Sequence, residues 1–547
     1  MQDEYDYIVC GGGTSGCVVA SRLAEDPNVR ILVIEAGDHN KDIENVHMAG
    51  GMSRLAGTKH DWRISTVPQK HCNDREIPLF RGKFLGGSSG VNGTLCVRGT
   101  KQDYDDWDMP GWSGDEMFEA MKKAETFHGK HWFEAAPGAH GTDGPLHVTP
   151  HDLAPISERV LESLQSKGFP LDHDMFSTGE RLFGCGHAPR TVHDGTRSTA
   201  ADYIVNERHR QNIDILVSTV VDKVMFVIQD SKPRATSVDT VSADGSRNTF
   251  HARREVIISG GAYCTPPILM RSGIGPLQHL EEHGIDCLVD APGVGANLRD
   301  HAIVFVFYET EAGLTNDFQL HHGDAFTRSR EQWRKDRTGF LSSYPFGAFA
   351  YARVDKRLEN NPGWQAALRS AAPGRDPMGL TPKQPNLEFF QLECFPMGPE
   401  GSQQPWDPKE GKHAFAMITE LFSPRSIGSV QLKSADPMDN PVVDHNYLSD
   451  PLDLLVLSEG VQWGHEIVTQ GAGTKDVVKG SWPRTFTFLP SYLCTDGLQA
   501  ACSTLKEERS AKTGFHSSSK VSPLAIIPAA LRRWAKPTIN LLCWTSD

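Results

Sequence analysis

The sequence predicts an α/β protein: a Rossmann-like, dinucleotide-binding domain interleaved with an α+β domain built on an antiparallel sheet. Three observations predict it. A strand, a Gly-x-Gly-x-x-Gly turn, a helix start and a second strand ending in an acid occupy residues 6–36. A second glycine-dense loop follows at residues 82–93. Strand-like runs at 386–390, 413–418 and 429–432, joined by long connections, then read as an antiparallel sheet separate from the nucleotide domain.

The first element has a physical reason for each part. Residues 6–10 are an apolar run of strand type, and residues 17–24 read as a helix start. Between them, Gly11 allows the tight turn, Gly13 lets the backbone approach a pyrophosphate, and Gly16 lets helix pack on strand. The free amides at the helix start face the phosphate charge. Residues 30–34 form the second strand, which ends in Glu35 and Ala36, where a carboxylate can accept from ribose hydroxyls. These residues alone do not separate NAD from FAD, which share the fingerprint.

Residues 82–93 cannot be an ordinary helix interior, because glycine is too frequent there. They read as a loop with accessible backbone amides, suited to a phosphate or to a planar ring at close range, with Leu85, Val91 and Leu95 as anchors. Helices are expected over 114–128, with Ser113 and Asp115 at the start, and over 152–167. Residues 195–201 lead into a helical segment through Asn206. Strands are expected at 213–217 and 223–228, then a hairpin-like excursion around residues 243–246, then a return to the parallel sheet at 255–259. Residues 316–335, 354–386 and 398–412 are polar and read as loop insertions.

The chain has 547 residues, enough for about two to four domains. Lys plus Arg is 55 and Asp plus Glu is 69, a formal net charge of −14, which disfavours a nucleic-acid partner or an anionic membrane surface. Eleven cysteines without Cys-x-x-Cys spacing suggest reduced thiols. No signal peptide precedes the first strand, no apolar stretch is long enough to span a bilayer, and the last three residues are not a peroxisomal address. A cytoplasmic protein with no membrane partner is the expectation.

By residue 100 the sequence resembles the glucose–methanol–choline (GMC) oxidoreductases. Residues 82–92, Gly-Lys-Phe-Leu-Gly-Gly-Ser-Ser-Gly-Val-Asn, resemble the first family signature, with Cys96 as a departure further on. Residues 261–275 resemble the second, residues 292–301 a third block and residues 441–448 a fourth. The resemblance covers about residues 5 to 470. It implies FAD as cofactor. It implies that Thr14 and Ser15 contact the pyrophosphate beside Gly11, Gly13 and Gly16, and that Glu35 holds the adenosine ribose. Asn92, Gly93, Thr94 and Leu95, following Val91, are implied to lie along the flavin, and the backbone of Val221 to pair with adenine. Trp62 reads equally as a border of the cofactor and as a packed indole. The implied organisation is an FAD-binding domain from 5–150 and 195–315 with part of 441–547. A substrate-binding domain takes 151–194 and 316–470, and 481–547 is an atypical C-terminal segment.

The chemistry implied is oxidation of a small organic, primary alcohol. A base takes the hydroxyl proton, hydride goes to flavin N5, and electrons then pass to oxygen or another acceptor. The spacing at 82–107 resembles small-alcohol oxidases and fungal-type biosynthetic members, which suggests a specialised-metabolite pathway. His516 occupies the position of the family's base. It lacks the following Pro and Gly-Thr of the family segment, and the residues beyond it do not resemble the family's closing strand and helix. The alternative reading is therefore a catalytically impaired GMC-fold protein with a truncated or altered C-terminus. A cyanohydrin-splitting lyase on the same fold is a third. No metal site is expected.

Overall fold

The computed structural model describes residues 3–205, 211–396 and 411–481, together with the backbone of a strand at Leu524–Pro528. Two sheets organise the chain. The first runs, in spatial order, Ile213–Leu216, Ile31–Ile34, Glu4–Cys10, Arg247–Ile258, Lys232–Ser242 and Thr219–Gln229. Its first four strands are parallel and its last two are added antiparallel.

We label Glu4–Cys10 β1, Thr14–Leu23 α1 and Ile31–Ile34 β2. All four residues of β2 are buried, as expected of a parallel strand covered on both faces. Helix α1 covers one face through Cys17 and Ala20, against Val9, Ile31 and Val33. The helix Gly261–Arg271 covers the other through Ile268, Leu269 and Met270, against Ile8, Leu32 and Val224. Each such side chain contributes about 1.5–3 kcal/mol on burial.

The second sheet is antiparallel, in the order Val478–Ser481, Asp300–Thr310, Ala414–Leu421, Leu387–Leu392, Phe346–Ala352 and Gly184–Gly186. Leu524–Pro528 also pairs with Asp300–Thr310. The helix Pro451–Gln470 lies across this sheet, started by Asp450, whose carboxylate accepts from the amide of Leu452. Gly460 lets it sit close, since a Cβ there would stand 2.7 Å from Leu387 Cδ1. Its buried Glu459 is held by Arg357, which also grips Glu466.

Several expectations change. Residues 316–335 are not a loop insertion: Ala325–Asp336 is a helix. Its polar sequence hid one anchor, Trp333, which is buried and donates its indole N–H to the Gly195 carbonyl at 2.7 Å. Arg330 and Arg334 tie the same helix to Glu44. Within 354–386 a helix forms at Pro362–Arg369 on the buried Trp364. The helix read over 114–128 is Gly114–Ala124, with Ser113 as its cap. It gives way to a strand, Glu125–Phe127, because Glu125 is drawn inward by Arg98 and His140. Before the short helix Asp202–Val205, residues Val192–His193 and Thr196–Arg197 form a hairpin. The strand Asp300–Thr310 falls inside 195–315, read with the nucleotide domain, yet its ladder partners belong to the second sheet. The insertion read at 398–412 lies almost wholly outside the described residues.

Among the described residues all eight cysteines are free thiols. No helix among them is long and apolar enough to cross a membrane.

Candidate functional site

The glycine turn after β1 and the loop at 82–93 meet. The Gly86 amide donates to the Gly12 carbonyl at 2.7 Å, and the Ser89 amide donates to Thr14 Oγ1 at 3.2 Å. The glycines differ in what surrounds them. At Gly11 the backbone is left-handed, φ +112°, and a Cβ would stand 2.5 Å from the Ser259 carbonyl oxygen. At Gly16 a Cβ would stand 1.9 Å from the Gly11 oxygen. At Gly13 a Cβ would meet nothing within 4 Å. So Gly11 and Gly16 are small for the protein's own packing, while Gly13 opens on free space at the uncapped start of α1. A space beside backbone amides at a helix N-terminus is what a pyrophosphate needs. These residues therefore fit a dinucleotide. Gly13, Thr14, Ser15 and Gly16 would hold its phosphates.

Glu35 ends β2 and is buried. Burial pushes its carboxyl above the usual range, opposed by the amides of Gly37 and Gly12 and by the Lys83 charge. The Gly37 amide donates to Glu35 Oε1 at 2.8 Å, which fixes the carboxylate beside Ala36. Ribose hydroxyls are suitable further donors. Val221 is buried in the strand Thr219–Gln229, and its carbonyl accepts from Arg271 Nη2 at 3.2 Å.

The loop 91–95 is clamped from the far side. Arg197 is fully buried and donates to the Asn92 carbonyl at 2.9 Å, to the Val46 carbonyl at 3.0 Å and to Asn92 Oδ1. The Thr94 amide donates to Asn92 Oδ1 at 3.1 Å, and the Thr94 carbonyl accepts from the Thr191 amide at 2.8 Å. Thr94 itself takes φ +65°, a strained setting that this clamp maintains. Leu95 pairs with Arg190 as an isolated bridge. Gly93 faces the Phe346 ring, which a Cβ would approach to 2.5 Å. Val91 packs with Phe84 and Val46. Burial pushes the Cys96 thiol up to about 11, so it stays protonated at neutral pH. Trp62 packs beside Ile64, Leu79 and Tyr263, with the Lys83 ammonium 4.8 Å from its ring centre.

Behind this loop lies a cleft of about 790 Å³, lined by Arg190, Val192, His193, Tyr344, Pro345 and Glu393 among others. Its wall is continuous with the loop through the Thr94–Thr191 and Leu95–Arg190 contacts. Arg190 is the residue that sequence reasoning missed. It is 1 % exposed, and Nη2 donates to the Phe346 carbonyl at 2.7 Å. Its Nε and Nη1 have no hydrogen-bond partner among the described residues. Burial lowers its pKa to about 9, opposed by Glu393 and Glu388. A buried guanidinium with idle donors is costly, and the Phe349 ring, whose centre lies 5.3 Å from the guanidinium carbon, offsets part of that cost. No local motif marks it; residues 188–191 read as ordinary connecting sequence.

Three of the sequence blocks converge elsewhere. Tyr263 and His445 Nε2 are hydrogen-bonded at 2.9 Å, Tyr447 donates to Asp300, and His445 stacks on Tyr447. All four are buried. Burial, with the Arg81 charge adding, holds His445 down to about 3, so this imidazole is neutral. The network locks the helix Gly261–Arg271 to the segment after Val442–Asp444 and to the start of the second sheet. His516 lies outside the described residues.

Profiles of the GMC oxidoreductase family match residues 5–303 and 424–520. An oxygen-dependent choline dehydrogenase of Burkholderia multivorans is 33 % identical over 481 residues, covering 86 % of this chain and 77 % of the relative. The structure of a variant of Aspergillus oryzae formate oxidase superposes with a TM-score of 0.82 at 30 % identity, covering 92 % of this chain and 87 % of that one. A fungal aryl-alcohol oxidase shares the fold at 23 % identity, with a TM-score of 0.70 and coverage of 92 % and 87 %.

Proposed function

This chain belongs to the GMC oxidoreductase family, and on that premise we propose that it oxidises a small organic, primary alcohol to the carbonyl. Its family is FAD-dependent, and bound FAD supplies the hydride acceptor. The observation that carries the reading is the continuity of the two glycine loops with the cleft, through Thr94–Thr191 and Leu95–Arg190. A substrate held in the cleft is thereby set beside the segment 92–95.

The chain's own residues then have separable roles. Gly13, Thr14, Ser15 and Gly16 bind phosphate, Glu35 orients ribose, and the backbone of Val221 borders adenine. The segment Val91 to Leu95 forms one wall of the ring site, held by Arg197. Arg190 holds the Phe346 carbonyl and so fixes the wall against which substrate is oriented, since a displaced reacting carbon forfeits most of the rate. His516 takes the hydroxyl proton. Electrons leave to oxygen or another acceptor. The product carbonyl suits a place in specialised-metabolite biosynthesis.

The test uses the purified holoprotein. Anaerobic addition of small primary alcohols bleaches the flavin absorbance, and His516→Ala slows that bleaching by about 100-fold or more at unchanged flavin content. A flavin-loaded protein that no small primary alcohol bleaches contradicts the proposal. The departures around His516 favour a second reading, a flavoprotein impaired in catalysis, which predicts that His516→Ala changes nothing.

A further inference from the structure

At the rim of the cleft three histidines come together from separate segments. His147 lies in the strand Leu146–Val148, which pairs in parallel with Glu125–Phe127, and His128 follows that partner strand directly. The His128 amide donates to the Val148 carbonyl at 2.8 Å, which fixes its backbone against the pair. His193 comes from the hairpin Val192–His193 and Thr196–Arg197. The His147 amide donates to Ser198 Oγ at 3.2 Å, tying the hairpin's continuation to the strand pair.

One nitrogen from each ring lies within 4.8 Å of the other two. His128 Nε2 and His147 Nδ1 are hydrogen-bonded at 2.8 Å, so one ring donates a proton that an incoming ion displaces. In a tetrahedral zinc site, with metal–nitrogen bonds of about 2.0–2.1 Å, ligand nitrogens stand about 3.4 Å from one another, inside this range. The rings are half-buried and stack on one another, which gathers three ligand nitrogens in one place. Asp194 brings a carboxylate to 3.3 Å from His193 Nε2. Lys130, the nearby cation lining the same cleft, is already neutralised by Asp152.

We propose that His128, His147 and His193 form a binding site for one divalent transition-metal ion of the zinc or copper class, with its remaining coordination position open to the cleft. The rings now stack, with centroids 3.5 Å apart for His128 and His193, and binding rotates them out of the stack. The cleft beside His128 and His193 gives that rotation room. The site is coupled to the flavin loop. His193 shares its hairpin with Arg197, which clamps Asn92 and Val46. A metal pinning the hairpin therefore stiffens the clamp on segment 91–95.

The test is calorimetric titration of tag-free, metal-stripped holoprotein with zinc chloride, and a parallel titration with cobalt(II) read in the visible. One saturable zinc equivalent is expected, with a tetrahedral cobalt spectrum. His193→Ala and His147→Ala each weaken zinc binding about tenfold or more, while flavin content and melting temperature stay at native values. His193→Asn serves as the second variant where the alanine change reduces folding. Absence of saturable binding overturns the proposal. So does a His147→Ala/His193→Ala protein that binds zinc as tightly as the native chain, because the ion then sits elsewhere.

Discussion

The glycine cradle and the cleft behind it are built on opposite principles. In the cradle, side chains are missing where the backbone must come close: Gly11 and Gly16 are crowded by backbone oxygens, and Gly13 alone faces open space. In the cleft, side chains are present in excess of their partners. Arg190 keeps two idle donors, and His151 Nε2 is buried without a hydrogen bond among the described residues. The difference teaches that the cradle makes room for a ligand by omitting side chains at Gly13, whereas the cleft wall is built from polar side chains.

That contrast can be broken at three points, with effects in decreasing order. The largest falls on the cradle. Gly16→Val drives a side chain into the Gly11 carbonyl, and folded, soluble protein is lost. Gly13→Val has free space and an extended backbone at φ −78°, so the protein folds with a native circular dichroism spectrum yet retains no FAD. Equal behaviour of the two variants would erase the distinction between packing glycine and ligand glycine. At the cleft wall, Arg190→Met removes the bond to the Phe346 carbonyl and leaves the volume nearly filled. Flavin content is unchanged and KM for the alcohol rises by about tenfold, roughly the value of one charged hydrogen bond. A drop in flavin content instead would place Arg190 with the cofactor.

The smallest effect belongs to the buried network that ties the helix Gly261–Arg271 to the start of the second sheet. His445 is neutral when folded, with a pKa near 3, against 6.5 when exposed. The unfolded chain therefore binds an extra proton between these values. The stability that this histidine contributes is fully present above about pH 6.5 and is lost as pH falls toward 3. His445→Gln flattens the acid limb of a melting-temperature profile between pH 6.5 and 4, while lowering stability at pH 7.5. An unchanged acid limb would show that other groups set it.

The legibility of the molecule follows the same divide. The cradle was readable because its chemistry is local: β1, the glycines, α1, β2 and Glu35 follow one another, and spacing alone implies the geometry. The antiparallel character of the second sheet was readable from Leu387–Leu392 and Ala414–Leu421. Its partners Asp300–Thr310 and Phe346–Ala352 were not identified as strands of it, because long-range pairing leaves no local mark. The helix Ala325–Asp336 was hidden by a polar sequence in which Trp333 supplies most of the anchoring. Arg190 and the three histidines carry no motif at all; only folding brings residues 128, 147 and 193 together. The Tyr263–His445 and Tyr447–Asp300 contacts join residues of 261–275, 292–301 and 441–448 in one buried network.

The most direct test of the central claim is the ratio of FAD to chain in the purified protein, read from its visible spectrum before and after incubation with added FAD. The account predicts one FAD per native chain and none on the folded Gly13→Val variant. A native chain that is folded, and still colourless after FAD is added, would contradict it.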